Sequence, residues 1–199
     1  MFGVCYYPEH WPQSKWQEDA QMMAELGLTY VRIGEFAWSK LEPNPGELNF
    51  NWLDEAILTL SNAGLKVVLG TPTATPPKWL IDQHPDILPI DVNSGLVRGF
   101  GSRRHYDFSS EIYLRESIRI TKALAARYGA HRGVVGWQTD NELCCHDTTL
   151  SGSANALRGF QSWCRDRYQS IEQLNNDWGN VVWSMDYRDF SEIELPILA

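Results

Sequence analysis

Residues 134–147 read VVGWQTDNELCCHD, an apolar run that ends in Thr-Asp-Asn-Glu. A strand ending there presents Asp140, Asn141 and Glu142 to solvent together. Glu142 could serve as a general acid and base if an apolar or negatively charged setting keeps its carboxyl protonated near neutrality. Trp137 and Asp140 are the sequence neighbours able to supply that setting. Asn141 could hydrogen-bond a hydroxyl without competing for the proton. Acid–base hydrolysis of a glycosidic bond usually needs two carboxylates, so a second one must be sought. Other apolar runs end in Glu9 and His10, in Glu35, and in Thr71 and Thr73. Any one of these reads most simply as a solvated terminus or a helix cap, and Glu142 as a carboxylate favoured by a helix dipole. Carboxylates at three strand ends on one face shift the balance toward a site.

The elements that would position these residues alternate. In SKWQEDAQMMAELG, Ser14 can cap a helix, Trp16, Ala20 and Met23 recur at helical spacing, and Gly27 stops it. LTYVRIGEF follows as a short buried strand. NWLDEAILTLSNAG repeats the helix, with Asn51 as cap, Leu53, Ile57 and Leu60 as the apolar stripe, and Gly64 as stop; LKVVLGTPTA repeats the strand. A third helix runs from Ser110 into GVVGWQTDNE, and FGVCYYPEHWP opens the chain as a first strand. Continuous apolar strands between amphipathic helices predict an α/β fold with a parallel sheet covered on both faces. Residues 71–109 form a long loop after the third strand, with a short helix starting at Pro76 or Pro77 and a glycine-punctuated stretch of hairpin character. Two more helices follow Glu142, around NALRGFQSWCRDRYQ and IEQLNNDWG. Four such units make about half of a (β/α)8 barrel, which takes about 250 residues and places its active site where strands open into the following loops. A doubly wound open sheet is the alternative, although no G-x-G-x-x-G follows the first strand.

Composition narrows the function classes. The chain of 199 residues carries 17 basic and 25 acidic residues and no basic run, so a phosphate backbone is not expected as a partner. Aromatic residues make up 12%, including nine tryptophans, enough for a rich core or for a surface that stacks sugar rings. No stretch approaches the roughly 20 apolar residues of a membrane span. Four cysteines without a C-x-x-C, two of them adjacent, suit a reducing compartment. The expected localisation is therefore cytoplasmic, with no membrane partner.

Taken in order, YYPEHWP, RIGEFAWSKLEPNPGELNFNWLD, TPTATPPKWL, GSRRHYDFSS, VGWQTDNE and WGNVVWSMDYRDFSEIELP resemble the β-galactosidases of glycoside hydrolase family 42, over nearly the whole chain. The resemblance implies a (β/α)8 TIM barrel, of which residues 1–199 supply the N-terminal portion of one catalytic domain. It implies hydrolysis of terminal non-reducing β-D-galactosyl residues with retention, no cofactor, and a homo-oligomer, often a trimer. Carried onto matching positions, Glu142 is the catalytic acid/base, Arg103 and Asn141 bind the sugar, and Trp183 lines the pocket. Glu35 is given a supporting role. The family's nucleophile is a glutamate near the seventh strand, which these residues do not reach, so the isolated chain is expected to be catalytically incomplete.

Many relatives hold a structural zinc with four cysteines; the corresponding positions here are Asp107, Ser151, Ser153 and Ala156, so that metal is not expected. A different set, His105, Cys145, His146 and Asp147, offers ligand types, but adjacent residues seldom converge on one ion. Three further readings stay open: a related β-glycosidase of other sugar preference, a non-catalytic galactoside-binding protein, and a metal-dependent hydrolase using that set. With bare sheet edges, the chain alone would associate with a second copy or with the missing half of the barrel.

Overall fold

The computed structural model describes residues 2–101, 103–143 and 150–196. Trp16, Ala20 and Met23 form the buried face of α1 (Gln13–Glu25), and Leu53, Ala56, Ile57 and Leu60 that of α3 (Asn51–Asn62), with the short α2 (Trp38–Leu41) between them. The strands are β1 (Gly3–Cys5), β2 (Tyr30–Ile33), β3 (Lys66–Gly70) and β4 (Val134–Gln138). All pair in parallel, in the order β1-β2-β3-β4. That order decides between the two architectures. A doubly wound sheet reverses its strand order at a switch point, whereas a barrel wall adds each strand beside the last. The chain is α/β, and its sheet is the first half of a (β/α)8 barrel.

Alternation along the strands sorts side chains between two faces. Val31, Ile33, Val67 and Leu69 pack against α1, α3 and the end of α5 (Glu111–Tyr128) in the main core, with Leu124 and Tyr128. Arg32, Val68 and Gln138 occupy the other face, where Arg32 Nη1 donates to Gln138 Oε1 at 2.6 Å across the width of β3. A second core of Trp38, Leu80, Ile81, Ile87, Tyr106, Tyr113 and Ile120 seats the long loop, including α4 (Lys78–Gln83), on α5. The last helices, α6 (Ala154–Tyr168) and α7 (Ile171–Trp178), enclose a small core of Cys164, Leu174, Phe190 and Ile193. At the sheet edges, Phe2 and Val4 on one side and Val135 and Trp137 on the other are exposed.

Two expected caps are displaced by one residue or more. Ser14 lies inside the first turn of α1, because Pro12, extended at φ −58° and ψ 140°, already occupies the N-cap. Asn51 is the first residue of α3 rather than its cap; Asn49 Oδ1 accepts its amide at 3.2 Å instead. Ser110, where the third helix was expected to begin, is the N-cap of α5 and accepts from the Tyr113 amide at 3.3 Å. Gly27 and Gly64 follow the helix ends at φ 80° and 85°, the left-handed turn that sends each chain into the next strand.

One buried charge ties the second core together. Glu42 is 0% exposed. It accepts from Trp38 Nε1 at 3.0 Å, the Gly46 amide at 2.7 Å, and Arg119 Nη2 at 2.8 and 2.7 Å.

Candidate active site

The C-terminal ends of the four strands lie together, as parallel pairing requires. At the end of β4 the chain turns through Asp140 (φ 56°) and Glu142 (φ 48°), left-handed conformations that L-residues adopt at a cost of about 1–2 kcal/mol each. Asn141, between them, is buried. Gln138 Nε2 donates to Asn141 Oδ1 at 3.1 Å and to the Asp140 carbonyl at 2.8 Å, so the interior-facing pair Arg32–Gln138 reaches the amide.

Glu142 is half-exposed and faces the long loop, where Arg103 Nη2 lies 2.8 Å from its Oε2. The Arg103 guanidinium stands 5.8 Å over the Phe36 ring, which stacks on Tyr7 at 5.9 Å. Residues from β1, β2, the long loop and β4 thus form one continuous wall. Tyr7, Phe36, Glu9 and His10 line a cleft of about 660 Å³ along it. Such a wall, with a carboxylate, a guanidinium, an amide and ring faces, can hold a polyhydroxylated ligand and move a proton at Glu142.

Trp137, read from sequence as part of the Glu142 setting, points the other way. It pairs with Leu69 on the helix side of the sheet, opposite Gln138. Adjacency in a strand places neighbours on opposite faces. Trp183 sits in a 3-10 turn, Val182–Ser184, at φ 65° and 87% exposed, and among the described residues it makes no hydrogen bond or ring contact with Arg103, Asn141 or Glu142. A bulky residue in that conformation is an outlier of the kind that gathers at functional sites.

Glu35 is 0% exposed, with Arg32 Nη2 2.8 Å from its Oε1 in a close ion pair. Gly70 makes room for it: a Cβ there would meet the Glu35 Cβ at 2.6 Å. Glu9 has a buried Oε2 with no hydrogen-bond partner among the described residues. Burial, opposed by a backbone hydrogen bond and reinforced by the charge of Glu35, pushes its carboxyl up to about 7. The unfolded chain then loses this proton near pH 4.5, while the folded protein keeps it until about pH 7. The proton's contribution to stability is complete below the lower value and lost as pH rises through the upper one. Glu9→Gln, which mimics the protonated acid, is expected to raise the apparent Tm at pH 8 by the equivalent of about 2–3 kcal/mol and to leave it unchanged at pH 4. Equal Tm differences at both pH values would refute this.

The turn bearing Glu142 is held by Asp140 and Thr73, which the sequence places at strand ends, and by Arg104 and Tyr106, which the sequence reading passed over. Asp140 accepts from Thr73 Oγ1 at 3.0 Å, from Arg104 Nη2 at 3.1 Å and from Tyr106 OH at 3.0 and 3.2 Å. Arg104 is 1% exposed and also donates to the Asn141 carbonyl. Only Arg103 of the adjacent arginine pair stood out in sequence, and nothing in the spacing distinguishes their roles.

The profile of the glycoside hydrolase 42 family, described as beta-galactosidase, matches residues 5–199. The chain belongs to this family. It is 58% identical over 198 residues to a beta-galactosidase of Thermus thermophilus, covering 100% of this chain and 30% of the relative. Among solved structures it is similar to beta-galactosidase from the psychrophilic Marinomonas ef1, with 58% identity, a TM-score of 0.96, and coverage of 100% of this chain and 30% of that one. A beta-galactosidase from the Antarctic haloarchaeon Halorubrum lacusprofundi follows at 48% identity and a TM-score of 0.94, again with 100% and 30% covered. The chain thus spans about 30% of the length of these family 42 relatives.

The zinc that the family resemblance raises does not suit the residues at its four positions. Ser153 Oγ donates to Asp107 and caps α6 by accepting from the Ala156 amide at 2.9 Å. Ser151 Oγ accepts from the Ile90 amide at 3.1 Å. Hydrogen bonds occupy these hydroxyls, and Ala156 offers no ligand atom. Of the other proposed set, His105 hydrogen-bonds through Nε2 to the Pro76 carbonyl at 2.9 Å, and Cys145, His146 and Asp147 lie outside the described residues. Among the described residues no helix is long and apolar enough to cross a membrane.

Proposed function

We propose that residues 1–199 are the N-terminal portion of a single (β/α)8 catalytic domain whose enzyme hydrolyses terminal non-reducing β-D-galactosyl residues with retention. The observation that carries this reading is Glu142 at the end of β4, facing Arg103 and flanked by a clamped Asn141, in a chain matched by the family over residues 5–199. In the first step a nucleophilic carboxylate attacks the anomeric carbon. The glycosidic C–O bond breaks as the Glu142 carboxyl passes its proton to the departing oxygen. In the second step Glu142, now a carboxylate, takes a proton from water. The water oxygen forms its bond to the anomeric carbon as the ester to the nucleophile breaks.

Arg103 and Asn141 hold sugar hydroxyls, and Trp183, strained and exposed, lines the pocket of the complete enzyme. The nucleophile comes from a part of the enzyme outside the 30% of the relatives that this chain spans; Glu35, enclosed with Arg32, supports the wall. Exposed Cys5 and buried Cys164 are free thiols, which suits a cytoplasmic enzyme. Assembly as a homo-oligomer, a trimer in the family pattern, belongs to the same reading.

Proton NMR of the reaction of the full-length enzyme with an aryl β-galactoside tests it. β-Galactose should appear before mutarotation produces the α-anomer. The C4-epimeric glucoside should be disfavoured by on the order of 10²-fold in kcat/KM. First appearance of α-galactose would overturn the mechanism, and equal turnover of the epimers the substrate class.

A further inference from the structure

We infer that Arg104 and Asp140, with Tyr106, are positioning residues that set the reach of Glu142 toward the glycosidic oxygen. The inference rests on the acid/base reading of Glu142. Asp140 is itself unfit for proton transfer to substrate, because both of its oxygens are engaged. Oδ1 accepts from the Asn141 amide at 2.6 Å, Arg104 Nη2 at 3.1 Å and Tyr106 OH at 3.2 Å. Oδ2 accepts from Thr73 Oγ1 and Tyr106 OH, both at 3.0 Å. Its own amide donates to Thr71 Oγ1 at 2.7 Å.

These contacts grip the backbone on both sides of Asn141. Asp140 holds the Asn141 amide, and Arg104 holds the Asn141 carbonyl. The gripped stretch is where the chain adopts positive φ at Asp140 and Glu142, and Arg104 itself has φ 63°. Two strained turns, one from the long loop and one from β4, are therefore locked face to face. Tyr106 is fixed in turn by stacking on Tyr113 at 4.1 Å, and Tyr113 OH donates to the Thr73 carbonyl at 2.9 Å. Arg103, one residue before Arg104, meets Glu142 from the same loop turn. Loosening the Arg104–Asp140 lock would release the backbone that carries Glu142. Catalysis is sensitive to such motion, because misplacement by about 1 Å can cost on the order of 10²-fold.

The test compares two β-galactosides in the full-length enzyme: a methyl galactoside, whose departing oxygen needs a proton, and a 2,4-dinitrophenyl galactoside, whose departing oxygen does not. The quantity read is kcat/KM, which reports the first bond-breaking step. Asp140→Asn and Arg104→Gln are expected to lose on the order of 10²-fold on the methyl substrate and less than about 5-fold on the dinitrophenyl one. Tyr106→Phe, the mildest change and the variant that keeps the test open should the others misfold, is expected to show the same selectivity at about 5- to 10-fold. Equal losses on both substrates would mean a merely structural role and would overturn the inference, as would wild-type values on both. Glu142→Gln distinguishes the two levels of the argument. If it shows the selective loss while the three other variants do not, the positioning role falls and the acid/base reading stands. If Glu142→Gln itself lacks the selective loss, the acid/base reading falls and takes this inference with it.

Discussion

Glu142→Gln in the full-length enzyme is expected to lower kcat on an alkyl β-galactoside by on the order of 10³-fold with KM unchanged or lower. Gln has the shape of the protonated acid, and its amide oxygen can still accept from Arg103, which lies 2.8 Å from the present carboxylate. The left-handed turn and the buried Asn141 should therefore survive the change. What disappears is the transferable proton, a contribution typically worth 10²–10⁴-fold. Because both chemical steps use the same group, activated substrates should recover the first step only, and the glycosyl-enzyme should accumulate as a burst. Steady-state kinetics beside rapid-quench measurement of the burst checks this. A kcat within about 5-fold of wild type would remove Glu142 from the mechanism.

Glu42→Ala is expected to cost about 2–3 kcal/mol of stability with no direct effect on chemistry, mainly because the buried Trp38 indole N–H loses its acceptor. The carboxylate is fully enclosed and satisfies Trp38 Nε1, the Gly46 amide and Arg119 at once. Removing it strands the buried indole N–H. It also releases Arg119, which is partly exposed and can turn to water. Glu42→Gln, able to accept from some of these donors, should lose less. Apparent Tm and urea midpoints for both variants provide the measurement, with a fall on the order of 10 °C for the alanine variant in a folding unit of this size. A loss below about 1 kcal/mol would show that water replaces the carboxylate. Arg127 and Asp54, a pair outside the core with both side chains substantially exposed, carry no such expectation.

Glu142 could be picked out because it closes an apolar run, and strand ends in a parallel array lie on one edge. Glu42 follows a short helical turn inside a family-like block and has no local mark. Its burial depends on Trp38, four residues earlier, and on Arg119, 77 residues later. The helices were readable for the same local reason as Glu142: stripes such as Leu53, Ile57 and Leu60 repeat at the helical period and end in glycine. The caps of α1 and α3 were misread where Pro12 and Phe50 had already set the backbone before Ser14 and Asn51.

By itself the sequence determined the elements, their α/β alternation, and the carboxylate and amide at the end of the fourth strand, since hydrophobic period and turn chemistry are local properties. Its longer blocks also carried the family. Only the tertiary structure decided that the strands stand in the order β1-β2-β3-β4, that Trp137 turns away from the site, and that Glu35 is enclosed. The lock of Arg104, Tyr106 and Asp140 belongs to the same class. Its partners are separated by 34 to 36 residues and come from a loop without periodicity. Which of two adjacent arginines meets Glu142 and which meets Asp140 depends on a single left-handed residue and the packing beneath it. Such contacts are long-range in sequence and short-range in space, so the physical forces that create them act only once the chain has folded.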